Sequence, residues 1–139
     1  MLSTPSSSQI TMNVSSTSGG SSYNPNSFGP ALWFTLHNAS TTYPDFPDLR
    51  TKQAMKQLLL NLPLLIPCGI CKQHWIQNLN TFDLNVVVNS RDNLFTFLVH
   101  AHNLVNKLSQ KPQMTVDEAK ILYGFNRPGT GSTIRINYY

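Results

Sequence analysis

The chain has 139 residues, of which 40% are hydrophobic and only 12% charged, with a net charge of +4 at pH 7. That length supports one domain with a modest core, and the ten Lys and Arg are scattered without a basic run, which argues against nucleic acid as a partner. The longest apolar stretch, 58–70, is interrupted by Asn61, Pro63 and Pro67 and is too short to span a bilayer.

The first residues lack the charged start and apolar run of a secretion signal, so a soluble protein is expected, with its compartment left open. Residues 1–26 are dominated by Ser, Thr, Asn and Gly, have almost nothing to bury, and read as a disordered arm. Helical patterning occupies 27–125. Residues 126–139 read as a flexible tail in which Ile134, Ile136, Tyr138 and Tyr139 could form a strip against a partner.

A first helix is expected over 28–42, where Phe28-Gly29-Pro30 suits a first turn and Trp33, Leu36, His37 and Ser40 share a face. A Tyr-Pro-Asp-Phe-Pro-Asp loop follows at 43–48. The second helix, 49–62, places Met55, Leu58, Leu59 and Leu62 at helical spacing and stops at Pro63. The third starts at Cys68, just after Pro67, and runs to about Leu79. Val86–Val88 is the one β-branched run and a weak strand signal. Ser90 caps a fourth helix over 91–109 that turns Leu94, Phe95, Leu98, Val99, His102 and Val105 inward, and Thr115 with Glu118 has the capping-box spacing for a short fifth helix ending near Tyr123. The fold class is therefore all-α, a four-helix bundle plus a short fifth helix.

The chain has two cysteines, Cys68 and Cys71, three positions apart. An isolated Cys-x-x-Cys without a secretion signal reads as redox or metal chemistry rather than a disulfide framework. At a helix start the two sulfurs lie one turn apart on nearly the same side, a separation compatible with a disulfide. The helix N-terminus stabilises a thiolate at Cys68, so Cys68 is expected to be the exposed, exchanging sulfur and Cys71 the shielded one. Gly69 leaves room for an incoming thiol. Zinc would need four ligands, and of His37, His74, His100 and His102 the last two point to roughly opposite sides of one helix. A thioredoxin-like site would follow a β-strand, which is not predicted here. A helical adaptor with two inert cysteines stays open as a non-catalytic alternative, as does a zinc-stabilised domain.

The surroundings of the pair carry a resemblance. Phe28-Gly-Pro-Ala-Leu-Trp33-Phe-Thr-Leu-His37 and Tyr43-Pro-Asp-Phe-Pro47 resemble the first helix and following loop of the Erv/ALR sulfhydryl oxidases. Pro67-Cys68-Gly-Ile-Cys71-Lys-Gln-His74-Trp75 is similar to that family's redox stretch, and His102-Asn103-Leu-Val-Asn106 with the trailing Lys111-Pro112 is similar to its fourth-helix signature. Together the motifs cover 28–123 in the family's order and spacing. What the resemblance implies is a bound FAD held by Gly29, Trp33, His37, Tyr43 and Cys71 on one side and by His74, His102, Asn103, Asn106 and Lys111 on the other. Trp33/His37 and His102/Asn106, each at i, i+4, supply aromatic faces and donors, Lys111 can meet phosphate, and His100 is left on the surface. No metal is implied.

The implied activity is oxidation of protein dithiols through Cys68 and Cys71, with electrons passing to FAD and then to O2 to give hydrogen peroxide. A thioredoxin-like carrier is one such substrate, and a homodimer built from the first two helices is implied as well. The chain departs from the family pattern in three positions and one absence. Ser40 replaces a small apolar residue, Phe97 a tryptophan, and Ser109 an apolar residue. No second cysteine pair exists to act as a shuttle or to join helix ends. The compact forms without a shuttle are mainly those of large DNA viruses, which implies a viral origin, with host cytoplasm or virion as the corresponding compartments.

Overall fold

A computed structural model describes residues 24–131, so most of the Ser-rich arm and the Ile134–Tyr139 strip lie outside the described residues. Six helices follow in order, α1 (Pro25–Ser40), α2 (Leu49–Asn61), α3 (Gly69–Thr81), α4 (Leu84–Val87), α5 (Arg91–Leu108) and α6 (Val116–Leu122), and there is no strand among the described residues.

Side-chain caps set most of the helix starts. Asn24 accepts from the Asn26 N–H, Asp48 from Thr51 and Ser90 from Asn93. Thr115 and Glu118 exchange both bonds of the expected capping box. The first helix begins earlier than the expected residue 28, because Asn24 caps it and Pro25 takes the first helical position. Pro30 is consequently an interior proline that leaves the Asn26 carbonyl without its usual helical donor. Val86–Val88 is not extended. Asp83 caps it into the single helical turn α4, with Val87 and Val88 buried.

Pro63 does more than end α2. It lies four residues after Leu59 and has no N–H, so the Leu59 carbonyl loses its helical donor. The Trp75 indole N–H of α3 donates to that carbonyl at 2.9 Å. The chain between them forms a 3-10 turn, Leu62–Leu65, that reverses direction before Cys68. The proline that stops one helix thus creates the acceptor that docks the next.

Helix α5 is the central element, touching α1, α3, α4 and α6. One side packs Leu94, Phe97, Leu98 and Ala101 into a core with Leu59, Trp75 and Leu79, and another packs Phe95 and Val99 against Ala119 and Phe125. At its first position, Arg91 is buried. Its Nε donates to Asp45 Oδ1 at 2.8 Å, and Nη1 donates to the carbonyls of Thr41 and Phe125. The guanidinium also lies over the Phe125 ring, 3.9 Å from its centre. One cation thus joins the α1–α2 loop, the start of α5 and the turn after α6. That turn extends the folded part beyond the expected boundary at 125. The Asp45 N–H donates to the Gly131 carbonyl at 3.2 Å, and Gly131, at φ +75°, sits where any Cβ would overlap the Asp45 carboxylate.

Arg91→Ala should therefore lower unfolding free energy by roughly 2–4 kcal/mol, since three buried or half-buried acceptors each lose a donor at once, Phe125 keeping only that from Thr130. Urea denaturation measures this, and a loss below about 0.5 kcal/mol, the size of an ordinary surface change, would show that Arg91 is not the joint described.

Candidate active site

Helices α1, α3 and α5 enclose an open cleft of about 420 Å³. Gly29 and Trp33 of α1, Cys71 and His74 of α3, and His102 and Asn106 of α5 line it, and Lys111 lies at its edge. These seven are among the ten residues expected around a cofactor. The other three lie elsewhere. Tyr43 is buried in the main core and its hydroxyl donates to the Val88 carbonyl at 2.7 Å, which fixes the α1–α2 loop. Asn103 faces the segment before α6, giving its amide to the Met114 carbonyl at 2.7 Å and accepting from the Met114 N–H at 3.0 Å. His37 lies deeper, 2% exposed, on a smaller cavity behind His102. His100 is exposed and stacks on Phe82, away from the cleft.

Sequence reasoning missed Asn78 and Trp75 on the α3 wall. Asn78 is seven residues after Cys71 and four after His74, so helical spacing alone places all three on one face. Its side chain is buried and donates to the Ala101 carbonyl at 3.4 Å, joining α3 to α5.

Cys68 and Cys71 form a disulfide across a Cα–Cα distance of 5.2 Å. Cys68 is the N-cap rather than the first residue of α3, with extended backbone, and its Sγ accepts from the Cys71 N–H at 3.4 Å. The expected contrast in exposure is softened, because both cysteines are half-buried. Their difference is one of direction: Cys71 borders the cleft and packs against the core, whereas Cys68 does not line the cleft. With both sulfurs joined to each other, and no cluster of three His, Cys, Asp or Glu among the described residues, a zinc site has no ligand set.

The floor of the cleft is aromatic. Trp33 and His102 stack 4.4 Å apart and 4° from parallel, and His37 Nε2 lies 3.0 Å from His102 Nδ1. A short N···N contact holds one proton, and His37 Nδ1 is buried with no partner. A bare lone pair is easier to bury than an unpaired N–H, so the proton belongs on His37 Nε2, donated to His102 Nδ1. His102 then carries its own proton on Nε2. Burial, followed by repulsion from His102, lowers His37 to about 4. Burial and then the Lys111 ammonium lower His102 as well. Both rings are neutral at pH 7.

Among the described residues no Asp or Glu lines the cleft, and Lys111 is the one Lys or Arg there, reaching Asn26 Oδ1 at 3.3 Å. Flat π faces, apolar walls from Phe28, Leu32 and Val105, several neutral donors and a single cation suit a planar heteroaromatic ligand bearing phosphate. The donor chemistry therefore fits a dinucleotide such as FAD. Trp33, His102, Asn106, His74 and Lys111 are the residues that would hold it.

The histidine pair has a measurable signature. A depressed folded pKa means that the unfolded chain binds more protons between about 4 and 6.5, so stability rises with pH in that window. The contribution of His37 is complete above pH 6.5 and is lost as pH falls towards 4, amounting to about 3 kcal/mol for the shift to about 4. Urea unfolding at pH 7, 5.5 and 4.5 should show this slope, and His37→Asn should flatten it. An unchanged slope in that variant would place the titration elsewhere.

A family model described as Erv1/Alr matches residues 30–124. The protein 096R of Invertebrate iridescent virus 3, named as an FAD-linked sulfhydryl oxidase, is 39% identical over 67% of this chain, and the match spans 63% of that relative's length. The similarly named 088R of Frog virus 3 is 34% identical over 81% of this chain and 77% of its own. Among solved structures, the core of yeast Erv1 aligns with a TM-score of 0.70 at 23% identity, over 85% of this chain and 98% of the yeast one. The FAD binding domain of Erv1 from Saccharomyces cerevisiae aligns at 0.64 and 28%, over 69% and 90%. With the family model covering well over half of the sequence and the helical frame shared with yeast Erv1, the chain belongs to the Erv1/Alr family.

Proposed function

We propose that this chain is an FAD-dependent thiol oxidase that makes disulfides in protein dithiols and passes the electrons to O2, giving hydrogen peroxide. The observation that carries the reading is that Cys71, one half of a disulfide, borders the same cleft as the Trp33–His102 stack and Lys111. A redox pair and a cleft for a flat, phosphorylated ligand share a wall.

Substrate thiolate attacks Cys68 Sγ, the Cys68–Cys71 bond breaks, and Cys71 leaves as thiolate. The substrate's second thiolate then attacks its own sulfur in the mixed disulfide and displaces Cys68. The substrate has lost two electrons and two protons, and the cysteine pair has gained the electrons. The α3 N-terminus favours the thiolate on Cys68, because unpaired backbone N–H groups there point towards it. Cys71 is the sulfur on the cleft side, so the reduced pair is reoxidised from that direction. FAD, when bound, supplies the two-electron acceptor there and the group from which O2 removes those electrons. Trp33 and His102 offer ring faces, the His102 Nε2–H is a neutral donor, and Lys111 balances phosphate charge.

The substrate must present accessible cysteines, as a thioredoxin-like carrier does. An apolar groove between α1 and α2, about 570 Å³ and bordered by Leu36, Ala39, Met55 and Leu58, supports assembly as a homodimer.

The decisive experiment is the visible spectrum of purified protein together with oxygen consumption on dithiothreitol. A yellow, flavin-bearing, oxygen-consuming protein is expected, whereas a colourless one points to the adaptor reading. Cys71→Ser should stay yellow and lose turnover, and near-normal turnover in that variant would refute the exchange pathway. His102→Ala should weaken FAD binding by roughly tenfold to a hundredfold, about 1–3 kcal/mol, through loss of a ring face and a donor. His100→Ala should leave it unchanged, and equal losses would mean that α5 presents a different face to the ligand.

A further inference from the structure

Aliphatic side chains stand uncovered in the turn that precedes the disulfide and between its two cysteines. Leu64 and Leu65 in the 3-10 turn are 78% and 80% exposed, and Ile70, between the two cysteines, is 61% exposed. Their neighbour Ile66 is buried and Trp75 is pinned to Leu59, so the turn that holds the two leucines out is itself fixed. No charged residue occurs between Lys56 and Lys72. Leucines are not exposed at this level for the sake of the core, and none of these three lines the cleft.

We propose that Leu64, Leu65 and Ile70 form a docking collar for the substrate. The partner it fits is a reduced polypeptide whose cysteine pair is flanked by aliphatic or aromatic residues and lacks charge near the thiols. The inference deepens the thiol-oxidase reading and rests on it. Any thiol that exchanges with Cys68 must come within bonding distance of its Sγ, so the surface next to that sulfur is contact surface for every protein substrate. Covering apolar side chains there removes them from water, which favours apolar flanks. A charged flank would be desolvated against Leu64 and Leu65, where residues 57–71 carry no charge to offset it and the first cation beyond is Lys72, after Cys71. A small dithiol such as dithiothreitol is too short to reach the collar and gains nothing from it.

The test uses the full chain and two reduced peptides of equal length, each with one Cys-x-x-Cys. One is flanked by Leu and Phe, the other by Gly and Ser. Wild-type protein should show the lower KM for the apolar peptide. Leu64→Ser/Leu65→Ser, and separately Ile70→Ser, should raise that KM, by roughly tenfold or more for the double variant, the order expected for two leucines no longer buried. The kcat, the rate on dithiothreitol and the Gly/Ser peptide should all stay within about twofold. Equal wild-type KM values for the two peptides would overturn the collar. So would variants that slow dithiothreitol alike, or a change of oligomeric state by light scattering, which would assign the leucines to a second copy of the chain. Failure of wild-type protein to oxidise dithiothreitol at all would instead sink the thiol-oxidase reading.

Discussion

One shared proton between His37 and His102 sets the floor of the cleft. A buried imidazole and a half-buried one 3.0 Å apart cannot both be charged, and one donates to the other. That condition fixes the tautomer of each ring and ties the last turn of α1 to α5. Trp33 stacks on one ring of the pair and Tyr123 on the other, so helices α1 and α5 and the turn after α6 are aligned through a single polar contact. A purely apolar floor would pack as well, but it would leave His102 free to rotate and would supply no donor of known direction.

Elsewhere the fold relies on polar groups that helices themselves set free. Pro63 strips the Leu59 carbonyl of its partner and Trp75 takes it. The carbonyls of Thr41 and Phe125, beyond the ends of helices, are collected by Arg91. These contacts are few, buried and long in sequence separation, and between them they fix α3 and α5 on which the cysteines and His102 ride. The charged fraction of the chain is small, and Arg91 is placed where it decides the register of three segments.

The helices were legible because their signals are local. Ser90 and Thr115 announce caps, Pro63 announces a stop, and the apolar spacing of Leu94, Phe95, Leu98 and Val99 gives the buried faces of α5. Three features were not legible in that way. The start of α1 depends on Asn24, inside a stretch whose composition reads as disordered. Val86–Val88 has strand-like residues but is too short to pair, and Asp83 wins it for a helical turn. Arginine is ordinarily a surface residue, so nothing in the sequence marks Arg91 as buried. The site itself was legible as far as helical faces go: Trp33, Cys71, His74, His102 and Asn106 converge on one cleft. Depth was not. Periodicity cannot tell that His37 lies behind His102, or that Asn103 holds the chain before α6 rather than the cleft.

The cap of α3 has a thermodynamic corollary. Most N-caps are spectators, but here the capping atom is a disulfide sulfur whose bonding would change in the proposed exchange. In the oxidised pair Cys68 Sγ is a neutral, poor acceptor for the Cys71 N–H. A thiolate formed there on reduction would sit at the positive end of a helix, where the same contact would become a charge-assisted bond. Folding therefore favours the reduced form over the oxidised one at this position. A dithiol whose reduced state is stabilised has a less negative reduction potential and so draws electrons from ordinary protein thiols. The driving force for taking electrons is thus written into a helix end, and Gly69, with open space where a side chain would stand, keeps that end accessible.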